Sequence, residues 1–273
     1  MHRWNAGEVV THGTRLHYYR TDGGRPPLVL LHGFSDDGLC WTPVAEVLSE
    51  DFDVIMVDAC GHGKSEAPDQ GYGQRTMATE VAGLIEALSL EKPAILGHSM
   101  GAATALTLAS LYPELPRAIL LEDPPAIWNA AQNAQGAERR NFFIGWIEQL
   151  KRKTRDELLT EVRADNPVWS EAELGPWADS KHRLSTKIIK LLTSSDEEDV
   201  GLERRVQGIH CPVLLMTADP ERGAIVTEDD ARLLKELIPD LQVVHIARAG
   251  HYVQHQQFDL YLQAITDFLV RSR

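Results

Sequence analysis

The sequence predicts a doubly wound α/β fold, in which helices cover both faces of a mostly parallel β-sheet. Short apolar runs alternate with longer amphipathic segments through most of the chain, as in repeated strand–helix–strand units. The runs lack polar alternation, which is typical of parallel strands buried on both faces. We predict six such strands, at residues 28–31, 54–57, 94–96, 118–121, 213–216 and 243–246.

Helical segments are predicted between and after these strands. Between residues 75 and 90, Met77, Val81, Leu84 and Leu88 recur at helical spacing and give the segment one apolar face. Similar patterns predict helices over residues 100–111, 229–237 and 258–270. Residues 8–20 alternate around Gly13 and predict an antiparallel hairpin at the edge of the sheet.

Composition and charge indicate which partners and which cellular location to expect. The 273 residues include 27 Lys and Arg against 40 Asp and Glu, giving a net charge of −13. Duplex nucleic acid and anionic membranes bind to clustered basic residues, so neither is expected as a partner of this acidic chain. No apolar run approaches the ~20 residues that span a bilayer, and no signal peptide is visible. With three scattered cysteines, we predict a cytoplasmic protein, and the sequence leaves its oligomeric state open.

A long helical segment interrupts the strand–helix rhythm. Residues 124–208 contain no convincing strand and hold four of the six tryptophans, Trp128, Trp146, Trp169 and Trp177. An insertion at the carboxyl end of a core strand would lie over the ligand crevice of an α/β sheet. We therefore predict a core of residues 1–123 and 209–273 with a helical cap at 124–208. Its tryptophans either pack the cap itself or line an apolar substrate pocket, for which Trp128 and Trp146 are the candidates.

The strongest chemical motif is Gly97-His98-Ser99-Met100-Gly101, which joins a predicted strand to a predicted helix. This is the context of a nucleophile elbow, a tight turn that projects a serine hydroxyl above the sheet. Small residues must flank the turn, and Gly97 and Gly101 supply them. Ser99 is the predicted nucleophile. The N–H of Met100, at the start of the helix, is a predicted donor to a developing oxyanion.

Together with the elbow, three further motifs make the chain resemble the α/β-hydrolase superfamily over nearly its whole length. These motifs are His-Gly-Phe at 32–34, a glycine-rich loop at 58–65 and Ala-Gly-His at 249–251. The resemblance implies that the backbone of Phe34 supplies the second oxyanion N–H. It also implies a structural role for the 58–65 loop, where Cys60 stands in place of the usual arginine.

A histidine late in the chain is expected as the general base. His251 follows a strand and the Ala-Gly pair, so we predict that it takes the proton of Ser99; His245 and His255 are its rivals. His251 and His255 are four residues apart, a spacing that can bind metal on a helix. No third ligand is placed to complete such a site. Neither a metal nor a cofactor is expected.

Three carboxylates are candidates for the acid that orients His251. Asp219 follows the strand at 213–216, which is the commonest position in the family, and it is preferred. Strict family spacing from Ala218, where glycine is usual, would instead select Glu221. Asp123 follows the strand at 118–121, where some members of the family carry their acid. The sequence leaves these alternatives open.

The predicted activity is that of a serine hydrolase acting on a carboxylic ester or lactone through an acyl-enzyme. A serine at the elbow argues against haloalkane dehalogenase and epoxide hydrolase chemistry, which require a carboxylate nucleophile. The cap indicates a small or medium, partly apolar substrate. C–C bond hydrolysis, thioester hydrolysis and haloperoxidase-like perhydrolysis share the same elements, and a hydrolase-like ligand receptor is an alternative outside catalysis.

Overall fold

An eight-stranded, mostly parallel sheet organises the chain. The computed structural model describes residues 4–21, 23–125, 134–193 and 206–272. The strand order is β1-β2-β4-β3-β5-β6-β7-β8; β1 and β2 are antiparallel to their neighbours, and the strands from β4 to β8 are parallel. The strands are β1 (Asn5–Thr11), β2 (Thr14–Arg20), β3 (Pro27–Leu31), β4 (Asp53–Val57), β5 (Ala94–His98), β6 (Ala118–Glu122), β7 (Val213–Thr217) and β8 (Leu241–His245).

Helices follow the strands as in a doubly wound fold. The described helices are α1 (Thr42–Leu48), α2 (Gln74–Ala87), α3 (Met100–Leu111), α4 (Ala134–Arg152), α5 (Arg155–Asp165), α6 (Glu171–Arg183), α7 (Ile189–Thr193), α8 (Glu228–Leu237), α9 (Val253–Gln256) and α10 (Phe258–Arg271). The predicted fold class is confirmed, and each predicted strand overlaps an observed one.

Both faces of the sheet are buried, which explains the uninterrupted apolar runs. Along β3, Leu28 and Leu30 join the core cluster beneath α1 and α10. Val29 and Leu31 join the opposite cluster, which contains residues of α2, α3 and α8. Because successive side chains of a strand point to opposite faces, each apolar strand contributes to two cores.

The described residues between β6 and β7 form the helices α4, α5, α6 and α7, joined by turns, and include no strand. Small apolar clusters lie within this segment, one around Leu150 and Leu158 and one around Val162 and Trp169. That the segment acts as a separate cap stays a prediction. In the part of the chain that the structure describes, no helix has the length and apolar character needed to cross a membrane.

Candidate functional site

The predicted nucleophile, Ser99, lies on a strained turn between β5 and α3. Its backbone has φ 50° and ψ −113°, a conformation that non-glycine residues rarely adopt. The Ser99 N–H donates to the carbonyl oxygen of Glu122 at 2.9 Å, which holds the turn against the end of β6. A side chain at Gly97 would overlap the backbone carbonyl of Gly101. The close approach therefore explains the flanking glycines.

His251 and Asp123 form a direct contact at the same edge of the sheet. The Nδ1 atom of His251 lies 2.6 Å from Oδ2 of Asp123, whose side chain is fully buried. The Asp123 carboxylate also accepts the N–H groups of Ile225, at 2.8 Å, and Val226, at 2.9 Å. These donors stabilise an ionised carboxylate, so Asp123 holds the proton of His251 on Nδ1 and leaves Nε2 free to act as a base.

Asp219, the acid preferred from the sequence, makes its side-chain hydrogen bonds with His245 and Arg248 rather than with His251. Its Oδ1 lies 3.0 Å from Nε2 of His245, and its Oδ2 accepts the N–H of Arg248 at 2.7 Å. Asp219 therefore ties the end of β7 to the loop after β8. The third candidate, Glu221, is exposed on the short turn Pro220–Arg222.

The two rival histidines have other partners. His245 is bound to Asp219, and Nδ1 of His255 lies 2.6 Å from Oε1 of Glu173 on α6. His98 is buried beside Ser99, and its Nε2–H donates to the carbonyl oxygen of His251 at 2.9 Å. Burial, followed by the neighbouring His251, lowers the pKa of His98 well below its usual value. A neutral His98 therefore anchors the backbone of the predicted base.

One predicted oxyanion donor, Met100, lies in the elbow itself, and the other, Phe34, lies on the loop after β3. Met100 is the first residue of α3, so its N–H has no acceptor within the helix. Phe34 follows β3, and the carbonyl of the preceding Gly33 accepts the N–H of Asp36 at 3.2 Å. The Nδ1 atom of His32 also lies 2.8 Å from the Gly33 carbonyl oxygen. The loop is thus held by its own hydrogen bonds.

An aromatic wall at the loop after β3 is formed by Phe34, Phe143 and Trp146. The ring of Trp146 stacks on Phe34 at 6.5 Å between centroids, and Phe143 packs edge-to-face on Phe34 at 5.6 Å. Both residues come from α4. Trp128, the other pocket candidate, lies outside the described residues. Trp169 instead packs on Tyr252 and His255, next to the predicted base.

Cys60, which replaces the usual arginine, fills an apolar position. It is fully buried in the core cluster that also contains Tyr72 and Met100, and burial raises the pKa of its thiol. The carboxylate of Asp58 stabilises the loop around Cys60 by accepting the N–H groups of Gly38 at 2.7 Å and Lys64 at 2.9 Å. Those bonds stabilise the loop without an arginine at position 60.

Two polar contacts near the site had no sequence signal that singled them out. Lys181 of α6 is completely buried against Asp36 in the loop after β3. Glu122 is buried beside Asp123 and accepts the N–H of Gln254 at 3.1 Å; burial raises the pKa of Glu122 to about 8. The only available hint was position, because Asp36 follows the His-Gly-Phe motif and Glu122 ends a strand.

The sequence identifies the family. A profile of the alpha/beta hydrolase fold matches residues 26–258, and the chain belongs to this family. It is 31% identical over 268 residues to an N-formylmaleamate deformylase of Pseudomonas putida, covering 96% of each chain. It is 28% identical over 260 residues to a 2-(acetamidomethylene)succinate hydrolase of Mesorhizobium japonicum, covering 92% of this chain and 90% of that protein.

Solved structures share the fold. A crystal structure of E-2-(acetamidomethylene)succinate hydrolase matches with a TM-score of 0.80 at 23% identity, covering 98% of this chain and 99% of that one. An epoxide hydrolase matches with a TM-score of 0.79 at 22% identity, covering 99% of this chain and all of that one (100%). Members with different reactions therefore share this architecture, and chemistry must be argued from the site.

Proposed function

We propose that this protein is a serine hydrolase that releases an acyl group through Ser99, His251 and Asp123. The observation that carries the proposal is the contact between His251 and Asp123 at the sheet edge where the Ser99 elbow also lies. This is the geometry in which a carboxylate orients a histidine and stabilises its cationic form. The similar epoxide hydrolase structure supports the fold alone.

The chemical steps follow from the roles of these groups. The Ser99 oxygen attacks the substrate carbonyl carbon, and its proton passes to Nε2 of His251. The carbonyl oxygen becomes an oxyanion that accepts the N–H groups of Phe34 and Met100. When the intermediate collapses, His251 protonates the leaving group and an acyl-Ser99 ester remains. Water, deprotonated by His251, then attacks the ester, releasing a carboxylic acid and restoring Ser99.

A short acyl amide is the proposed substrate class. Two of the relatives that cover nearly the whole chain are named for a deformylase and for the hydrolysis of an acetamido compound. The aromatic wall of Phe34, Phe143 and Trp146 supports a planar, partly apolar group beside the scissile carbonyl. An ester or lactone passes through the same acyl-enzyme, so the substrate predicted from the sequence stays a prediction.

A substrate panel tests this proposal. Product formation is measured by liquid chromatography and mass spectrometry with N-formylmaleamate, 2-(acetamidomethylene)succinate, short esters, lactones, a thioester and a vinylogous diketone, for the wild type and for Ser99→Ala. We expect turnover of an amide, and no turnover by the folded variant. Full activity in Ser99→Ala would remove Ser99 from the mechanism. Turnover of the diketone alone would contradict the acyl-amide substrate.

A further inference from the structure

Lys181 is an unusual lysine, because its side chain is completely buried. It lies two residues before the end of α6, in the helical segment between β6 and β7. Its Nζ atom lies 2.5 Å from Oδ1 of Asp36 and 3.2 Å from the carbonyl oxygen of Ser35. The ammonium also lies 4.5 Å from the ring centroid of Trp177. Such a group stays buried only when its charge is paired.

The partner carboxylate is ionised. Burial of Asp36 opposes ionisation, but the charge and hydrogen bond of Lys181 outweigh it, so the pKa of Asp36 lies below its usual value. The pair therefore links two opposite charges in a dry environment, where their geometry is strongly constrained. It connects α6 directly to the loop that carries Phe34.

The constraint extends from Asp36 to the peptide that carries the Phe34 N–H. The N–H of Asp36 donates to the Gly33 carbonyl oxygen at 3.2 Å. The other donor to that oxygen is His32: its Nε2 accepts the N–H of Ala59 at 3.0 Å, so Nδ1 carries the proton. The Gly33 carbonyl and the Phe34 N–H belong to one planar trans peptide and point in opposite directions. Fixing the carbonyl therefore fixes the direction of the N–H.

The backbone of Ser35, the residue between Phe34 and Asp36, is strained. Ser35 has φ 74°, in the left-handed region that non-glycine residues rarely occupy. Its carbonyl oxygen is the second acceptor of the Lys181 ammonium. Lys181 thus holds the loop at two consecutive positions, Ser35 and Asp36. A strained turn of this kind persists only when its surroundings restrain it.

We propose that Lys181 is a positioning residue that orients the Phe34 N–H toward the oxyanion, acting through Asp36 and the Gly33 carbonyl. This inference rests on the proposed serine hydrolase function. It gives α6 a role in transition-state stabilisation, since a preorganised donor accelerates acyl transfer without changing the affinity for the ground state.

A second ion pair on the same helix supplies a matched control. Nη2 of Arg183 lies 2.6 Å from Oδ2 of Asp37, so this pair also joins α6 to the loop after β3. Asp37, however, accepts the N–H of Leu39 and caps the short helical turn Gly38–Trp41, which leads away from Gly33. Loss of Arg183 weakens the attachment of α6 without releasing the Gly33 carbonyl.

The test is the reaction of the whole 273-residue chain with a fluorophosphonate. The Ser99 oxygen forms a bond to phosphorus, fluoride leaves and the serine proton passes to His251, while the phosphoryl oxygen occupies the oxyanion position. We measure the second-order rate by intact-protein mass spectrometry, and kcat and KM with the best substrate of the panel. For Lys181→Met we expect both the labelling rate and kcat to fall at least about tenfold, with KM within about threefold of the wild-type value.

Two control variants distinguish the loss of oxyanion positioning from other causes of slow labelling in Lys181→Met. We expect Arg183→Met to react within about threefold of the wild-type rate. The double variant Asp36→Asn/Lys181→Met removes both charges, so it folds without an unpaired buried carboxylate, and we expect it to stay slow. Wild-type rates in Lys181→Met or in the double variant would overturn the inference, as would equal losses in Lys181→Met and Arg183→Met.

The labelling experiment separates an error in the role of Lys181 from an error in the proposed serine hydrolase function. If the wild type forms no adduct on Ser99, the serine hydrolase proposal is wrong, and the role of Lys181 falls with it. If the wild type is labelled at Ser99 and Lys181→Met is labelled equally fast, only the positioning role is wrong. Circular dichroism at the assay temperature establishes that each variant compared is folded.

Discussion

Oδ2 of Asp123 lies 2.6 Å from Nδ1 of His251, although 128 residues separate them in the chain. Asp123 has φ 40°, a left-handed conformation immediately after β6. Its carboxylate accepts the N–H groups of Ile225 and Val226 as well as the His251 proton. The strain at Asp123 and these three donors together direct a buried carboxylate at the predicted base.

Replacing Gly97 with alanine should disrupt the elbow. The new Cβ would overlap the backbone of Gly101 and Ala102, and backbone atoms cannot move away cheaply. We expect activity to fall at least about 100-fold and the melting temperature to fall, because the Ser99 turn must shift. Thermal unfolding and substrate turnover measure both effects.

Gly145→Ala is the control for that experiment. Gly145 lies within α4, and a Cβ there meets nothing within 4 Å. Alanine is favoured over glycine inside a helix by about 1 kcal/mol, so we expect a small rise in stability and unchanged turnover. A Gly97→Ala protein that behaves like Gly145→Ala would show that the elbow is not tightly packed.

The buried Glu122 predicts a pH dependence of stability. Burial raises its pKa in the folded protein from 4.5 to about 8. Between these values the folded state holds a proton that the unfolded chain releases, so the free energy of unfolding contributed by Glu122 falls as pH rises. Glu80, whose pKa burial raises to about 7, acts in the same direction over a narrower range.

Glu122→Gln isolates this contribution. Glutamine keeps an oxygen that accepts the Gln254 N–H, and it removes the titrating proton. Near pH 9 we expect the variant to exceed the wild type by on the order of 2 kcal/mol in free energy of unfolding, with a smaller difference near pH 5. Urea unfolding at a series of pH values measures it. Parallel curves for the two proteins would contradict an elevated pKa.

Trp146→Ala tests the aromatic wall. Loss of the ring removes a stacking partner of Phe34, so we expect KM to rise about tenfold for the best panel substrate, with a smaller change in kcat. Phe142 lies on the same helix, is 67% exposed and packs on Phe143, so Phe142→Ala measures how far an indirect change in the wall moves KM. If Phe142→Ala raises KM as much as Trp146→Ala, the wall does not contact the substrate.

The core of the fold was predictable because buried parallel strands leave a strong local signal. The predicted strand at 54–57, for example, corresponds to Asp53–Val57, and both faces of that strand are covered. Ser99 also lies in a local motif, since a strand, a glycine-flanked serine and a helix are contiguous in the chain. Local patterns therefore located the elbow.

Local patterns could not separate the candidate acids Asp123 and Asp219. Asp123 and Asp219 both follow strands, and each carboxylate accepts hydrogen bonds from residues distant in sequence. The direction of Asp123 depends on its left-handed backbone and on N–H groups of Ile225 and Val226. That of Asp219 depends on His245 and Arg248 at the next strand.

The burial of Lys181 is a second feature that the sequence could not predict. Lysine on an amphipathic helix is ordinarily exposed, so nothing in the sequence of α6 distinguishes Lys181 from the charged residues around it. Its burial arises from the docking of α6 against the loop after β3, where Asp36 supplies the compensating charge. Such pairs depend on tertiary packing between segments more than 140 residues apart.

The comparison of Asp123→Asn with Asp219→Asn tests the central claim most directly. Both variants make the same chemical change at a strand end, and kcat is measured for each with the best panel substrate after circular dichroism shows that both are folded. We predict a loss of about 10⁴ in kcat for Asp123→Asn, because His251 loses the partner that fixes its proton on Nδ1. Asp219→Asn should stay within about tenfold of the wild type, since Asp219 contacts His245 instead. A severe loss in Asp219→Asn with near-normal turnover in Asp123→Asn would contradict the proposed triad.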